Sequence, residues 1–189
     1  MSYSPAHKER TRRRILESAR RFLKEQGLGG VSVDSLMAGA GLTRGGFYAH
    51  FSSKDELVAA ALDDTVLLGF LQKHKSGGTP EPVHWTRAVL EEYLGPLHRD
   101  QPATGCPLAI HVGEITLAAP QARAVYTNLV KEVATELAGR LPRNAQKTSS
   151  EALAILALIV GGMALARGVN DTELSDAILA ACREAISDL

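Results

Sequence analysis

The amino-acid sequence predicts an all-α protein of about nine helices, and three observations carry that expectation. Apolar residues recur at three- and four-residue intervals along most of the chain. No segment shows the strict polar–apolar alternation of a half-buried strand. Prolines, glycines and Ser, Thr or Asp at capping positions cut the pattern into pieces of helical length. With 189 residues, 45% hydrophobic and 22% charged, the chain has the size and composition of a globular protein of one or two domains.

Composition removes several classes of function. The longest uncharged apolar run, Ala152 to Ala166, has 15 residues, short of the roughly 20 that a bilayer requires, so no membrane span is expected. The amino terminus, MSYSPAHKERTRRR, leads into an amphipathic run rather than an apolar block, which argues against a signal peptide. Two cysteines, Cys106 and Cys182, make neither a disulfide framework nor a four-ligand zinc site. The six histidines are scattered without metal-ligand spacing. The expectation is a protein of the reducing cytoplasm with no metal and no cofactor. No nucleophile elbow, phosphate loop or other catalytic motif stands out, so an enzyme is not expected.

The first helix carries Ile15, Leu16, Ala19, Phe22 and Leu23 on one face and stops at Gly27-Leu28-Gly29-Gly30. Val33, Leu36, Met37 and Ala40 make a two-turn second helix with Ser32 as its N-cap. Gly41 follows where a left-handed turn is easiest for glycine. Leu42 is a candidate staple, and Thr43 caps a short third helix carrying Phe47, Tyr48 and Phe51. Ser53-Lys54-Asp55-Glu56 reads as a capping box opening a fourth helix, expected over 54–73, with Leu57, Val58, Ala61 and Leu62 on one side. Three short helices and the start of a fourth, two of them joined by a tight glycine turn, outline a helix-turn-helix.

Beyond a loop at 76–82, a fifth helix runs through Trp85, Val89, Leu90 and Tyr93 and ends or kinks at Gly95-Pro96. Gly105-Cys106-Pro107 opens a helix through Ile110 and Ile115, and Pro120 opens another through Val125, Leu129, Val133 and Leu137. Thr148-Ser149-Ser150-Glu151 is a second capping box, and the last helix begins near Asp171-Thr172.

A formal net charge of zero hides a division. Residues 1–56 carry 10 basic and 6 acidic side chains, a net +4, and the remainder is equally negative. Arg10, Arg12, Arg13 and Arg14 crowd the start of the first helix. A basic amino-terminal third suits a polyanion, although a solvated helix end would carry the same charges.

The segment VSVDSLMAGAGLTRGGFYAHFSSKDEL, Val31–Leu57, resembles the DNA-binding signature of the tetracycline-repressor (TetR) family of transcriptional regulators. The matching positions are Ser32, Leu36, Ala40, Gly41, Thr43, Gly45, Phe47, Tyr48, Phe51, Lys54 and Leu57. The rest of the chain resembles the family only in length and helical plan. The resemblance implies a homodimer with a helix-turn-helix DNA-binding domain, here residues 1–56, and a ligand-binding and dimerisation domain, residues 57–189, linked by the fourth helix. It implies a near-palindromic double-stranded DNA operator and a small organic effector whose binding releases a repressor. Gly46 departs from the pattern, since many relatives carry a hydroxyl or larger residue there.

In such a motif the third helix enters the major groove and presents its first residues to base edges. Arg44 is the candidate reader, through a bidentate pair with guanine O6 and N7; a phosphate clamp is the plainer alternative. Tyr48, His50 and Lys54 stand at phosphate-contacting positions implied by the resemblance; Thr43 is a candidate contact to a phosphate or a base, Ser32 combines its cap with a phosphate contact, and Gly45 and Gly46 would let the backbone lie close to DNA. Phe47 and Phe51 read as core. Small residues from Ala152 to Ala166 keep one helix slim enough for close approach across a dimer axis, with recognition helices about 34–36 Å apart.

Candidate effector contacts are Trp85, Tyr93, His98, His111, Glu114, Tyr126, Met163 and Arg167, each equally at home in a core or on a surface. Cys106 is a separate candidate. Pro107 at a first helical position places it at an N-cap, where a helix dipole favours thiolate, and it resembles a branch of the family whose cysteine responds to oxidants or electrophiles. The plainer reading is a small buried hydrophobe. A DNA-binding regulator without an effector is the remaining alternative.

Overall fold

The computed structural model of the chain describes residues 4–63, 69, 71, 82–141 and 148–187, apart from the side chains of 82–86, 104 and 148. Among the described residues there are nine α-helices: α1 (Pro5–Gln26), α2 (Val33–Gly39), α3 (Lys54–Leu62), α4 (Pro82–Tyr93), α5 (Pro96–Asp100), α6 (Pro107–His111), α7 (Pro120–Ala138), α8 (Thr148–Gly168) and α9 (Thr172–Ser187). Short 3₁₀ segments occupy Arg44–Ala49, Pro102–Thr104 and Ile115–Leu117. None of the described residues is in a strand, so the all-α expectation holds.

The chain divides into two compact units, residues 1–64 with 113–127, and residues 65–112 with 128–189. The sequence placed the division at residue 56, inside what is now α3, and gave no sign that residues 113–127 join the first unit. Of the linking helix expected over 54–73, residues 64–68, 70, 72 and 73 lie outside the described residues.

In the first unit, Ile15, Ala19 and Leu23 of α1, Leu36 and Met37 of α2, Phe47, Phe51, and Leu57, Ala61 and Leu62 of α3 share one core with Ile115 and Ala122. Helices α1 and α2 cross closely at Gly39, where a Cβ would lie 2.5 Å from Ser18 Oγ and 2.4 Å from the Phe22 ring. The buried Ser18 hydroxyl donates to the Leu36 carbonyl at 2.8 Å, a bond that apolar periodicity does not announce. Gly41 takes φ +66°, the left-handed turn its position predicted.

The caps hold with two refinements. Ser32 Oγ accepts from the Ser35 N–H at 3.1 Å, and Ser35 Oγ accepts back from the Ser32 N–H at 3.1 Å. At α3, Ser53 Oγ accepts from the Glu56 N–H at 3.1 Å as expected. Glu56, however, reaches one residue further back, accepting from the N–H and hydroxyl of Ser52 at 2.7 and 2.6 Å.

In the second unit, α8 packs against α9, α6 and α5. Its residues Ser149–Gly168 reach a mean hydropathy of 1.9, so by length and composition alone this 20-residue stretch is apolar enough to cross a membrane, as the core helix of a folded domain also can be. Ile155, Leu156, Ile159, Val160 and Met163 are buried in the packing of this unit, which accounts for much of that apolarity. The helix expected from Pro107 through Ile115 is broken. It ends at His111, and a separate 3₁₀ turn at Ile115–Leu117 follows Gly113, whose flexible backbone favours a break. Thr148, the expected second N-cap, is already the first helical residue. Asp171 Oδ1 caps α9 by accepting from the Leu174 N–H at 3.0 Å.

Candidate nucleic-acid interface

The segment Arg44–Ala49 is a 3₁₀ helix rather than the expected α-helix. Two consecutive glycines explain the weakness, since each costs roughly 1 kcal/mol against alanine in an α-helix. The segment is fixed by its apolar side. Phe47 is fully buried and Phe51 nearly so, their rings 5.9 Å apart, and Phe47 meets Tyr48 edge-on at 5.2 Å. Backbone bonds from Gly46 N–H to Thr43 O (3.1 Å) and from His50 N–H to Phe47 O (2.9 Å) close its two ends.

What this anchoring leaves outside is polar. Thr43 takes the extended N-cap conformation, but its side chain makes no cap bond. Arg44 is exposed, and its Nη1 donates to Asp34 Oδ2 at 2.9 Å. An exposed pair of this kind is worth about 0–1 kcal/mol, so the guanidinium is readily exchanged to another acceptor. Asp34 is a partner that the sequence reading missed; it lies in the first turn of α2, where acids are ordinary. Tyr48 is 66% exposed. A Cβ on Gly45 would meet nothing within 4 Å, and one on Gly46 only Met37 Cε at 3.7 Å, so packing within the chain requires neither glycine.

The basic cluster is partly structural. Arg12 lies over the Phe51 ring with its guanidinium carbon 4.5 Å from the centroid. Arg14 Nη2 donates to the Ala40 carbonyl at 2.7 Å, satisfying the end of α2. His50 is half-buried, and its imidazole is held below the ordinary histidine pKa, first by burial and then by the charges of Lys8, Arg12 and His7. Ser32 and Lys54 stand at the starts of α2 and α3. All eight residues expected to meet DNA therefore lie in the first unit.

The expected effector residues do not stay together. Glu114 and Tyr126 belong to the first unit. Glu114 Oε2 accepts from the Leu28 N–H at 2.7 Å, beside Gly27, whose φ of +78° and missing Cβ leave room for the carboxylate. Tyr126 packs half-buried against that unit's core. Tyr93, His98, Cys106, His111, Met163 and Arg167 lie in the second unit, and the Trp85 side chain is outside the described residues.

Four of these form a cluster. The Tyr93 and His98 rings meet edge-on at 4.4 Å. His98 Nδ1 pairs with the Tyr93 carbonyl at 2.7 Å, while its Nε2 accepts from the Cys106 N–H at 3.2 Å, which assigns the ring proton to Nδ1. Arg167 Nε donates to the Arg99 carbonyl at 3.1 Å and Nη2 to that of His98, while Nη1 is buried without a partner. Burial pushes the Arg167 pKa down, against the opposing influence of Tyr93, Cys106 and Asp100. A Cβ on Gly105 would come within 2.8 Å of Arg167 Nη2. Cys106 is 1% exposed at the N-cap position of α6, a helix of only five residues, so the dipole that would favour a thiolate is short. Cys182 packs against Gly162, and burial raises its thiol pKa.

A buried aromatic core that presents Thr43, Arg44 and Tyr48 from a segment following a tight turn defines a helix-turn-helix DNA-binding protein. Comparison with known proteins gives the same class. The family described as bacterial regulatory proteins of the tetR family matches residues 15–61. An uncharacterised HTH-type transcriptional regulator of Lactococcus lactis is 25% identical over 169 residues, 85% of each chain. The regulator TtgR of Pseudomonas putida is 40% identical over 55 residues, 29% of this chain and 26% of that one. The reduced form of E. coli NemR has the same fold, with a TM-score of 0.81 at 17% identity over 95% of this chain and 96% of that one. Residues 15–61 thus match the DNA-binding region of the tetR family, and the chain is a DNA-binding transcriptional regulator.

Proposed function

We propose that the protein is a homodimeric cytoplasmic repressor that reads a near-palindromic operator through residues 43–50 and leaves it when a small organic molecule binds its carboxy-terminal unit. The observation that supports this reading best is the exposed Thr43–Gly45 stretch held over a fully buried Phe47. On DNA, Arg44 exchanges Asp34 for the O6 and N7 of a guanine. Ser32, Thr43, Tyr48, His50 and Lys54 contact phosphates and set the register. Gly45 and Gly46 keep the backbone free of side chains where it approaches the groove.

Dimerisation uses the outward faces of α8 and α9, with residues 57–189 as the dimerisation and ligand-binding part. Leu153, Leu165 and Leu174 are 53, 63 and 48% exposed there, and a Cβ on Gly161 meets nothing within 4 Å of its own chain. A second copy across a two-fold axis covers such a face.

The Tyr93–His98–Cys106–Arg167 cluster suits an uncharged or weakly acidic effector, because Arg167 holds a buried N–H without an acceptor. His111 and Met163, both buried, line the same unit. Effector binding shifts the dimer toward a state whose half-site spacing no longer fits.

The test is fluorescence anisotropy on the DNA upstream of the protein's own gene, across a salt series. Tight binding to one fragment beyond random DNA is expected, with release by a small molecule whose effect Arg167→Ala abolishes. A folded dimer that binds no DNA at low salt contradicts the reading.

A further inference from the structure

The start of a helix ordinarily attracts acidic side chains, because its unbonded N–H groups and dipole make it positive. Helix α1 does the reverse. Its first turn holds no acid, and residues 5–14 carry His7, Lys8, Arg10, Arg12, Arg13 and Arg14 against the single carboxylate of Glu9. The helix is otherwise conventionally capped, with Ser4 Oγ accepting from the His7 N–H at 3.3 Å. A local rule broken on a well-formed element marks a place where function outweighs stability.

Two of these cations converge on the end of the recognition segment. Lys8 and Arg12 are four residues apart and share one face of α1, while Arg10 lies about half a circumference away. Arg12 is held there by the Phe51 ring, 4.5 Å from its guanidinium carbon. His50 ends the segment, and its buried Nδ1 has no hydrogen-bond partner. An unpartnered lone pair is better tolerated than an unpartnered N–H, which assigns the proton of the neutral ring to Nε2 as a donor. Burial lowers the pKa of this imidazole, and the charges of Lys8, Arg12 and His7 lower it further. The Glu56 carboxylate near Arg12 is already bonded to Ser52.

We propose that Lys8 and Arg12 of α1, with His50, form an additional phosphate-binding site that takes a backbone phosphodiester of duplex DNA beside the bases read by the recognition segment. The site rests on the DNA-binding reading above and extends the contact surface to a helix outside the helix-turn-helix. It is blind to sequence, because phosphate carries none. It supplies the anion that the crowded cations of α1 call for.

The test is anisotropy of the full chain on its operator and on a random duplex across a salt series, comparing Lys8→Gln, Lys8→Gln/Arg12→Gln and Arg10→Gln with wild type. Lys8→Gln is expected to lower the slope of log affinity against log salt by about one, equally on both duplexes, and the double variant by about two. Arg10→Gln is expected to change it by less than half as much. Thermal melts separate the packing of Arg12 on Phe51 from its charge, since the exposed Lys8 variant should melt with wild type. An unchanged slope for Lys8→Gln on an operator that wild type binds overturns this site alone. An equal loss for Arg10→Gln also overturns it, by reducing the effect to overall charge. Wild type binding neither duplex overturns the DNA-binding reading and this site with it.

Discussion

The two units handle polar side chains in opposite ways. In the first, Phe47, Phe51 and Leu36 are buried, and Thr43, Arg44 and Tyr48 are left outside with at most an exposed ion pair. In the second, Tyr93, His98, Cys106 and Arg167 turn inward and bond to one another's backbone. A surface built to meet a large, highly charged partner keeps its donors solvated and exchangeable. A cluster that meets a small partner, or none, has to satisfy its polar groups within the fold.

That contrast is broken most severely at the anchor of the reading surface. Phe47→Ala is expected to destabilise the first unit by about 3–5 kcal/mol, the cost of emptying a buried aromatic site, read by chemical denaturation. A loss below about 1 kcal/mol would mean that the ring is not the fixed point assumed here. Ser18→Ala should cost about 0.5–1.5 kcal/mol, because it removes the 2.8 Å bond to the Leu36 carbonyl, which keeps its bond from the Ala40 N–H.

Arg44→Ala sharpens the comparison from the outer side. It should weaken operator binding by about 1–3 kcal/mol and relax sequence preference, while the melting temperature stays within error. Gly46→Ala has room inside the chain, with Met37 Cε 3.7 Å from the added Cβ. It should therefore stabilise the fold by up to about 1 kcal/mol and yet weaken DNA binding. Unchanged affinity in that variant would show that the groove has space for the methyl.

The smallest expected effect is a pH dependence. The folded-state pKa of His50 is below its ordinary 6.5, so on acidification the unfolded chain takes up the proton first. The stability linked to this group is complete above that value and erodes as the pH falls below it. His50→Gln should show a smaller drop in denaturation midpoint between pH 7.5 and 5.5 than wild type; an equal drop would place the titration elsewhere.

The elements that carry the proposed reading surface were legible because their core and capping residues occupy fixed offsets within 27 positions. The same local logic found Ser32, Gly41, Phe47 and Phe51. It missed the 3₁₀ geometry of Arg44–Ala49, where glycine propensity outweighed the family pattern. It missed Asp34 and Ser18, whose partners lie 10 and 18 residues away. In the second unit, His98 and Arg167 meet across 69 residues, and no period or motif connects positions so far apart. Glu114 shows the same limit, since its bond to Leu28 spans 86 residues and places it in the first unit.

Sequence-specific recognition by a two-fold pair of reading surfaces underlies the proposed function. It is tested most directly by selecting binders from a pool of random duplexes with the full-length protein, followed by sequencing of the enriched DNA. One motif made of two inverted half-sites is expected, with a guanine at the Arg44 contact that is lost from the pool when Arg44→Ala is used. Enrichment of no motif, or of a single half-site without an inverted partner, would contradict it.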